Sequence, residues 1–76
     1  MNKLFKILDG IVSSEYAKEN LESADAVINY AEAAGEVISK NEAERIISVG
    51  QSWIDAQENG NGEWSRMRHE AMAALE

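Results

Sequence analysis

Apolar residues recur three and four positions apart in the first segment of the chain, residues 2–13, with lysines and an aspartate on the other side. This pattern predicts an amphipathic helix. Asn2 is the expected cap of its first turn, and Gly10 weakens it by about 1 kcal/mol relative to alanine. Ser13 and Ser14 predict a bend after it. The apolar positions are Leu4, Phe5, Ile7, Leu8, Ile11 and Val12.

A second helix is predicted over residues 15–35, where apolar residues form two lines along the helix. Many of them are alanines, which allow another helix to approach closely. Gly35 is the expected residue beyond the helix end, in the left-handed conformation. Alternatively, the apolar lines continue to Val37 and Ile38. The lines consist of Leu21, Ala24, Ile28, Ala31 and Ala34, and of Ala26, Tyr30 and Ala33, with Val27 between them.

A third helix is predicted to begin at Ser39. Ser39 and Glu42 have the spacing of a capping box, in which the serine side chain and the glutamate side chain each accept a backbone N–H of the other residue. Asn41 with Glu44 is a competing frame, which would start the helix two residues later. Gly50 falls on the buried stripe and therefore indicates a close backbone contact. The stripe consists of Ala43, Ile46, Ile47, Gly50, Trp53 and Ile54.

Two glycines and two asparagines make residues 58–62 a predicted loop, and a last helix is predicted over residues 63–75. The 76 residues include no proline, and the abundant alanine, glutamate, isoleucine and leucine favour helix. The expected fold class is therefore all-α. We expect a single domain over residues 1–76 with three or four short helices, arranged as a small helical bundle or a helical-hairpin dimer.

The composition also limits the environment of the chain. It contains no cysteine, so disulfides cannot stabilise it, and a reducing compartment, the cytoplasm, is expected. No run of about 18 apolar residues is present, so a membrane span is not expected. A chain this short has little margin of stability, so we expect a marginal monomer or a homo-oligomer.

Acidic residues are concentrated in one part of the chain. The formal net charge is −7, and residues 15–38 hold six acidic residues against Lys18 alone, which makes −5 of that total. On a continuous helix several of them would form an acidic stripe. A stripe of this kind is either a solvated face that keeps the domain soluble or a docking surface for a basic partner. Its members are Glu22, Asp25, Asn29, Glu32 and Glu36.

Patterns that carry chemistry are incomplete in this chain. His69 and Glu70 begin a zinc-binding helix motif that lacks its second histidine. Residues 55–66 follow the spacing of a calcium-binding loop, but Arg66 stands where the bidentate glutamate belongs. Lysines and arginines are too few and too scattered for direct nucleic-acid binding. We therefore expect no catalytic residue, no metal site, no cofactor and no enzyme activity.

The two tryptophans, Trp53 and Trp64, flank the predicted loop. Both fall on apolar helical lines, which favours a place in the core. Large amphipathic side chains also form hot spots in protein interfaces. Trp64 lies beside the loop and is the better candidate for a partner-binding anchor.

The sequence carries no family motif at a specific spacing. Its leading interpretation is a non-enzymatic inhibitor or regulator that binds a basic, nucleic-acid-handling protein through an acidic helix face. In size, charge and lack of an active site it is similar, as a class only, to the small inhibitors of bacteriophages, including anti-CRISPR proteins. The alternative is an oligomerisation module with its first two helices as the interface. The expected partner-binding residues are Glu15, Glu19, Glu22, Asp25, Glu32, Glu36 and Trp64.

Overall fold

Five helices form the part of the chain that a computed structural model describes, residues 2–59 and 64–75, apart from the side chains of Asn59 and Trp64. The all-α prediction is confirmed, and four of the five helices have ten or more residues. In chain order they are α1 Lys3–Val12, α2 Ala17–Asn20, α3 Ala24–Ala33, α4 Lys40–Asn59 and α5 Trp64–Ala74.

The first helix, α1, forms and ends as predicted. The Asn2 side chain accepts the backbone N–H of Leu4 at 2.8 Å, which satisfies one of the free donors of the first turn. All six apolar residues of α1 are buried. The chain bends after Val12, where the Ser14 hydroxyl donates to the carbonyl of Ile11 at 2.6 Å.

The prediction of one helix over residues 15–35 is wrong, because the chain breaks between α2 and α3. Ser23 has an extended backbone, with φ −150° and ψ 161°, which no helix can pass through. Its hydroxyl accepts the N–H of Ala26 at 3.1 Å and so caps α3. Leu21, just before the break, is 2% exposed. The break therefore turns Leu21 into the core and starts a new helix three residues later.

The end of α3 at Gly35 is confirmed. Gly35 has φ +84°, the left-handed region that glycine enters without strain. The N–H of Glu36 donates to the carbonyl of Ala31 at 2.8 Å, and the N–H of Gly35 to that of Glu32 at 3.0 Å, the hydrogen bonds of a Schellman motif. The alternative, continuation of the helix to Val37, is therefore wrong. Val37 is 81% exposed.

The predicted capping box starts α4. The Glu42 carboxylate accepts the N–H of Ser39 at 2.8 Å, and the Ser39 hydroxyl accepts the N–H of Glu42 at 3.2 Å. The frame that pairs Asn41 with Glu44 is not used, since α4 begins at Lys40. The reciprocal pair satisfies two donors at the start of the longest helix.

The capping box makes the stability of the fold depend on pH. The Ser39 backbone N–H holds the pKa of Glu42 below its ordinary value of 4.5. A lowered folded-state pKa stabilises the fold above the ordinary pKa, and this contribution is lost as pH falls through the folded-state value. We expect Glu42→Gln to be less stable than the wild type in urea at pH 7, with the gap closing as pH falls below the ordinary pKa of 4.5 and through the lower folded-state pKa of Glu42. A gap of constant size at both pH values would contradict this role.

The core lies between α4 and the helices around it, since α4 packs against α1, α3 and α5. Trp53 of α4 and Phe5 of α1 stack with ring centroids 6.0 Å apart and planes within 8° of parallel, and both are fully buried. The core position predicted for Trp53 is thus confirmed. At Gly50 the side chains of Leu8 and Leu21 lie directly against the α4 backbone, as its place on the stripe predicted.

Candidate functional site

The most distinctive surface of the described chain is a groove between α2 and α4, which we call the α2–α4 groove. It consists of adjoining depressions of about 370 and 280 Å³. The buried residues of its lining, which we call its floor, are the apolar residues Val12, Leu21 and Ile54. Carboxylates from two distant chain segments stand along its edge, and we call them the acidic rim. The acidic rim consists of Glu15, Glu19, Glu22, Asp55 and Glu58.

A single cation, Lys18, is present among the residues that line the α2–α4 groove. It forms an ion pair with Glu58 across the groove. The hydrogen bond and charge of Glu58, followed by the charges of Asp55 and Glu19, raise the pKa of Lys18 above its usual range. The side chains of Lys18 and Glu58 are 66% and 49% exposed. Because exposed ion pairs contribute little to stability, the Lys18–Glu58 pair can break at little cost.

The α2–α4 groove carries a local excess of negative charge. Five carboxylates against one ammonium leave a net charge of −4 on the residues of its lining. Like charges held together in a depression with an apolar floor focus the electric field and attract cations. This attraction weakens with salt, since the screening length is about 8 Å at 0.15 M and about 3 Å at 1 M.

The structure separates the acidic residues that the sequence analysis placed on one stripe. Glu22 lies in the break before α3, and Glu36 lies beyond the end of α3, so the prediction of a continuous helical stripe is wrong. Asp25 and Glu32 remain on α3, both exposed. Glu22 instead joins the acidic rim with the predicted residues Glu15 and Glu19. Whether any of them binds a partner stays a prediction.

Two residues that line the α2–α4 groove, and one that adjoins a lining residue in the chain, were not among the predicted binding residues. Asp55 and Glu58 complete the acidic rim from α4. Tyr16, next to Glu15 in the chain, is 61% exposed. The spacing of Asp55 and Glu58 places them on one helical face, but nothing local indicates that this face lies beside α2. The predicted anchor, Trp64, has a side chain outside the described part of the structure.

The incomplete metal-binding motifs of the sequence gain no further ligands in the described part of the folded chain. In residues 2–59 and 64–75 no three histidine, aspartate or glutamate side chains are grouped to hold a metal ion. His69 is exposed on α5. The calcium-type spacing runs through residues 60–63, which lie outside the described residues. No helix in the described part of the chain is long and apolar enough to cross a membrane.

The predicted self-association surface is largely used inside the chain. All six apolar residues of α1 are buried in the chain's own core. The large apolar side chains that remain exposed in the described structure are Tyr16 and Val37. Oligomerisation through the first two predicted helices stays a prediction, and it would have to use other side chains than the apolar face of α1.

Comparison with known proteins gives no match among protein-family models, curated proteins or solved structures.

Proposed function

We propose that this protein is a non-enzymatic regulator or inhibitor that binds a basic protein partner through the α2–α4 groove. The observation that carries the proposal is the acidic rim. Its residues come from positions 15–22 and 55–58 and meet only in the folded chain, around a floor of apolar side chains. A surface of this composition suits lysine and arginine side chains, whose methylene stems pack on apolar groups while their charged ends pair with carboxylates.

The partner class follows from the same chemistry. Proteins that handle nucleic acids carry clustered lysine and arginine on the surface that contacts phosphates. A protein that occupies this surface would compete with the nucleic acid and inhibit the partner. The acidic rim would mainly accelerate association and select basic partners, while the exposed Tyr16 supplies an aromatic anchor beside the charges. A phage anti-defence protein is one setting in which such an inhibitor is used.

Charge reversal tests the proposal with a matched control. The rim variant combines Glu15→Lys, Glu19→Lys and Glu22→Lys. The control variant combines Asp25→Lys, Glu32→Lys and Glu44→Lys, which change the net charge equally on exposed positions that do not line the groove. It therefore also tests Asp25 and Glu32, which the sequence predicted to bind the partner and the fold places outside the acidic rim. We expect the rim variant to bind a basic partner about tenfold or more weakly at low salt, and the control to bind within about twofold of the wild type.

The measurement is affinity capture from bacterial lysate, with and without phage infection, followed by titration of the captured protein. Circular dichroism first establishes that both variants are helical. Capture of a basic nucleic-acid-binding protein that the rim variant loses, and that raised salt releases, supports the proposal. Equal loss in both variants would assign the effect to net charge, and capture unaffected by either variant would rule out the acidic rim as the docking surface.

A further inference from the structure

Among the side chains of the last helix, α5, that the structure describes, few are buried. Among its described residues and the one that follows, Ala71 and Leu75 are buried, and Met67 and Met72 are partly buried against the core. By contrast, α1 has the same overall length to within one residue and buries six apolar side chains. Helix α3 also buries two side chains, Val27 and Ala31, but it lies between Leu21 and Ile38, which are buried as well. The described apolar contacts of α5 are therefore smaller than those of α1, or of α3 together with the residues on either side of it.

Polar contacts hold the C-terminal end of α5. The Asn2 side chain donates to the carbonyl of Leu75 at 2.6 Å, and the Arg45 guanidinium donates to that of Ala74 at 2.9 Å. Carbonyls at the end of a helix lack partners within the helix, so these two side chains from α4 and the N-terminus cap α5 from outside. Water replaces such hydrogen bonds when the helix leaves, so each of them contributes only a modest part of the stability of the docked helix.

One further contact joins α5 to α1. The Arg68 guanidinium lies 3.9 Å from the Asp9 carboxylate and 5.1 Å from the centre of the Phe5 ring. The ion pair is about one-third exposed on each side, so water and salt weaken it. Arg68 thus lies over the Phe5 ring, which also stacks on Trp53 of α4.

We propose that α5 is a strap that undocks as a unit while α1 to α4 stay folded. Regions with few buried apolar contacts and mainly exposed polar contacts open with a lower free energy than the whole domain. The core also holds contacts that do not involve α5: Phe5 of α1 stacks on Trp53 of α4, and Leu8 of α1 lies against the α4 backbone at Gly50. Undocking uncovers Phe5 beneath Arg68, and Val49, which faces Met67 and Ala71 across a shallow depression.

Thiol labelling measures this opening directly, because the chain contains no cysteine. One variant carries Ala71→Cys, on the buried side of α5, and the matched variant carries Ala43→Cys, at a position of α4 that is equally buried. Both are treated with a thiol reagent under native conditions. We expect the thiol at position 71 to be labelled about tenfold or more faster than that at position 43, because only the latter requires opening of the whole domain.

A second substitution in each cysteine variant tests whether the hydrogen bond between Arg45 and Ala74 holds α5 in place. Arg45→Ala removes the hydrogen bond to the Ala74 carbonyl, while Lys40→Ala removes one positive charge from α4 at a side chain that forms no hydrogen bond or ion pair with the described residues of α5. We expect Arg45→Ala to accelerate labelling at position 71 by about fivefold, the factor that corresponds to one net hydrogen bond. Labelling at position 43 should be much less affected, and Lys40→Ala should change neither rate appreciably.

Hydrogen exchange of the wild-type chain supplies a measurement that needs no substitution. An undocked α5, with 11 residues, is too short to keep its helix in water, so its amides should exchange well before the central amides of α4. Faster exchange in α5 and faster labelling at position 71 support the strap. Equal labelling rates, or α5 amides that exchange together with those of α4, would show that α5 opens only when the whole domain unfolds. If a cysteine variant fails to fold, the wild-type exchange decides.

Discussion

Replacing Trp53 by alanine is expected to remove about 3–5 kcal/mol from the free energy of unfolding. Trp53 is fully buried on α4 and stacks on Phe5 of α1, so truncation leaves a large cavity between the two helices. A domain of this length has a total stability of about 4–11 kcal/mol. The variant should therefore be largely unfolded or have a strongly lowered urea midpoint. Circular dichroism in urea measures this independently of tryptophan fluorescence.

A double-mutant cycle separates the energy of stacking between Phe5 and Trp53 from the energy of burying each ring. Trp53→Phe keeps an aromatic ring at the position and should cost much less than Trp53→Ala. Combining Trp53→Leu with Phe5→Leu, which remove the rings but keep much of the apolar volume, should cost less than the sum of the two single changes by about 0.5–1.5 kcal/mol. Additive losses would mean that the two rings do not stabilise each other. A loss below about 1 kcal/mol for Trp53→Ala would contradict its place in the core.

Local signals predicted the ends of helices where the residues that cap them lie next to each other in the chain. Asn2, the pair Ser39 and Glu42, and Gly35 all act as their sequence context indicates. In each case the atoms that satisfy the backbone belong to the same turn. These helix caps form independently of the rest of the fold, so a pattern of residues a few positions apart is sufficient to predict them.

The break before α3 was missed because two local signals compete there. Helical spacing of apolar residues continues through positions 21–28, whereas Ser23 offers a cap for a new helix. The contact that the break permits is tertiary: Leu21 reaches the backbone of α4 at Gly50. Burying a leucine contributes about 1.5–3 kcal/mol, more than the helical turn that is given up. Only the position of α4 relative to α2 decides between the two signals.

The α2–α4 groove was beyond sequence analysis for the same reason. The sequence at positions 15–22 and 55–58 does not indicate whether the acidic residues of the two segments face each other or lie on opposite sides of the molecule. Spacing along the sequence defines only which residues share a face of one helix, so it predicts an acidic stripe on one helix and not a groove between two. Three of the seven predicted binding residues, Glu15, Glu19 and Glu22, belong to the acidic rim. Their partners Asp55 and Glu58 are brought to them by the packing of α4.

Gly50→Leu is expected to lower the free energy of unfolding by about 3 kcal/mol, and Gly50→Ala by about 1 kcal/mol. A Cβ atom at Gly50 would lie 2.7 Å from the Cδ1 atom of Leu8 and 2.9 Å from that of Leu21, well inside the usual carbon contact of about 3.5–4.0 Å. Both leucines are buried, so neither can move away freely. Alanine gains about 1 kcal/mol in helix propensity, which offsets only part of the overpacking.

Gly10→Ala is the control. An added Cβ atom would meet a side-chain atom at the same distance as at Gly50, but the side chain that it meets is less buried. A Cβ atom at Gly10 would lie 2.7 Å from the Tyr30 hydroxyl, the free end of a side chain that is only partly buried. Tyr30 can swing toward solvent, so the gain in helix propensity should leave the stability within about 0.5 kcal/mol of the wild type or above it. Urea midpoints of the three variants decide the matter. If Gly10→Ala and Gly50→Ala lose equal stability, the cost arises from the contact distance itself. If Gly50→Ala alone loses stability, it arises from the burial of Leu8 and Leu21 at the junction of α1, α2 and α4.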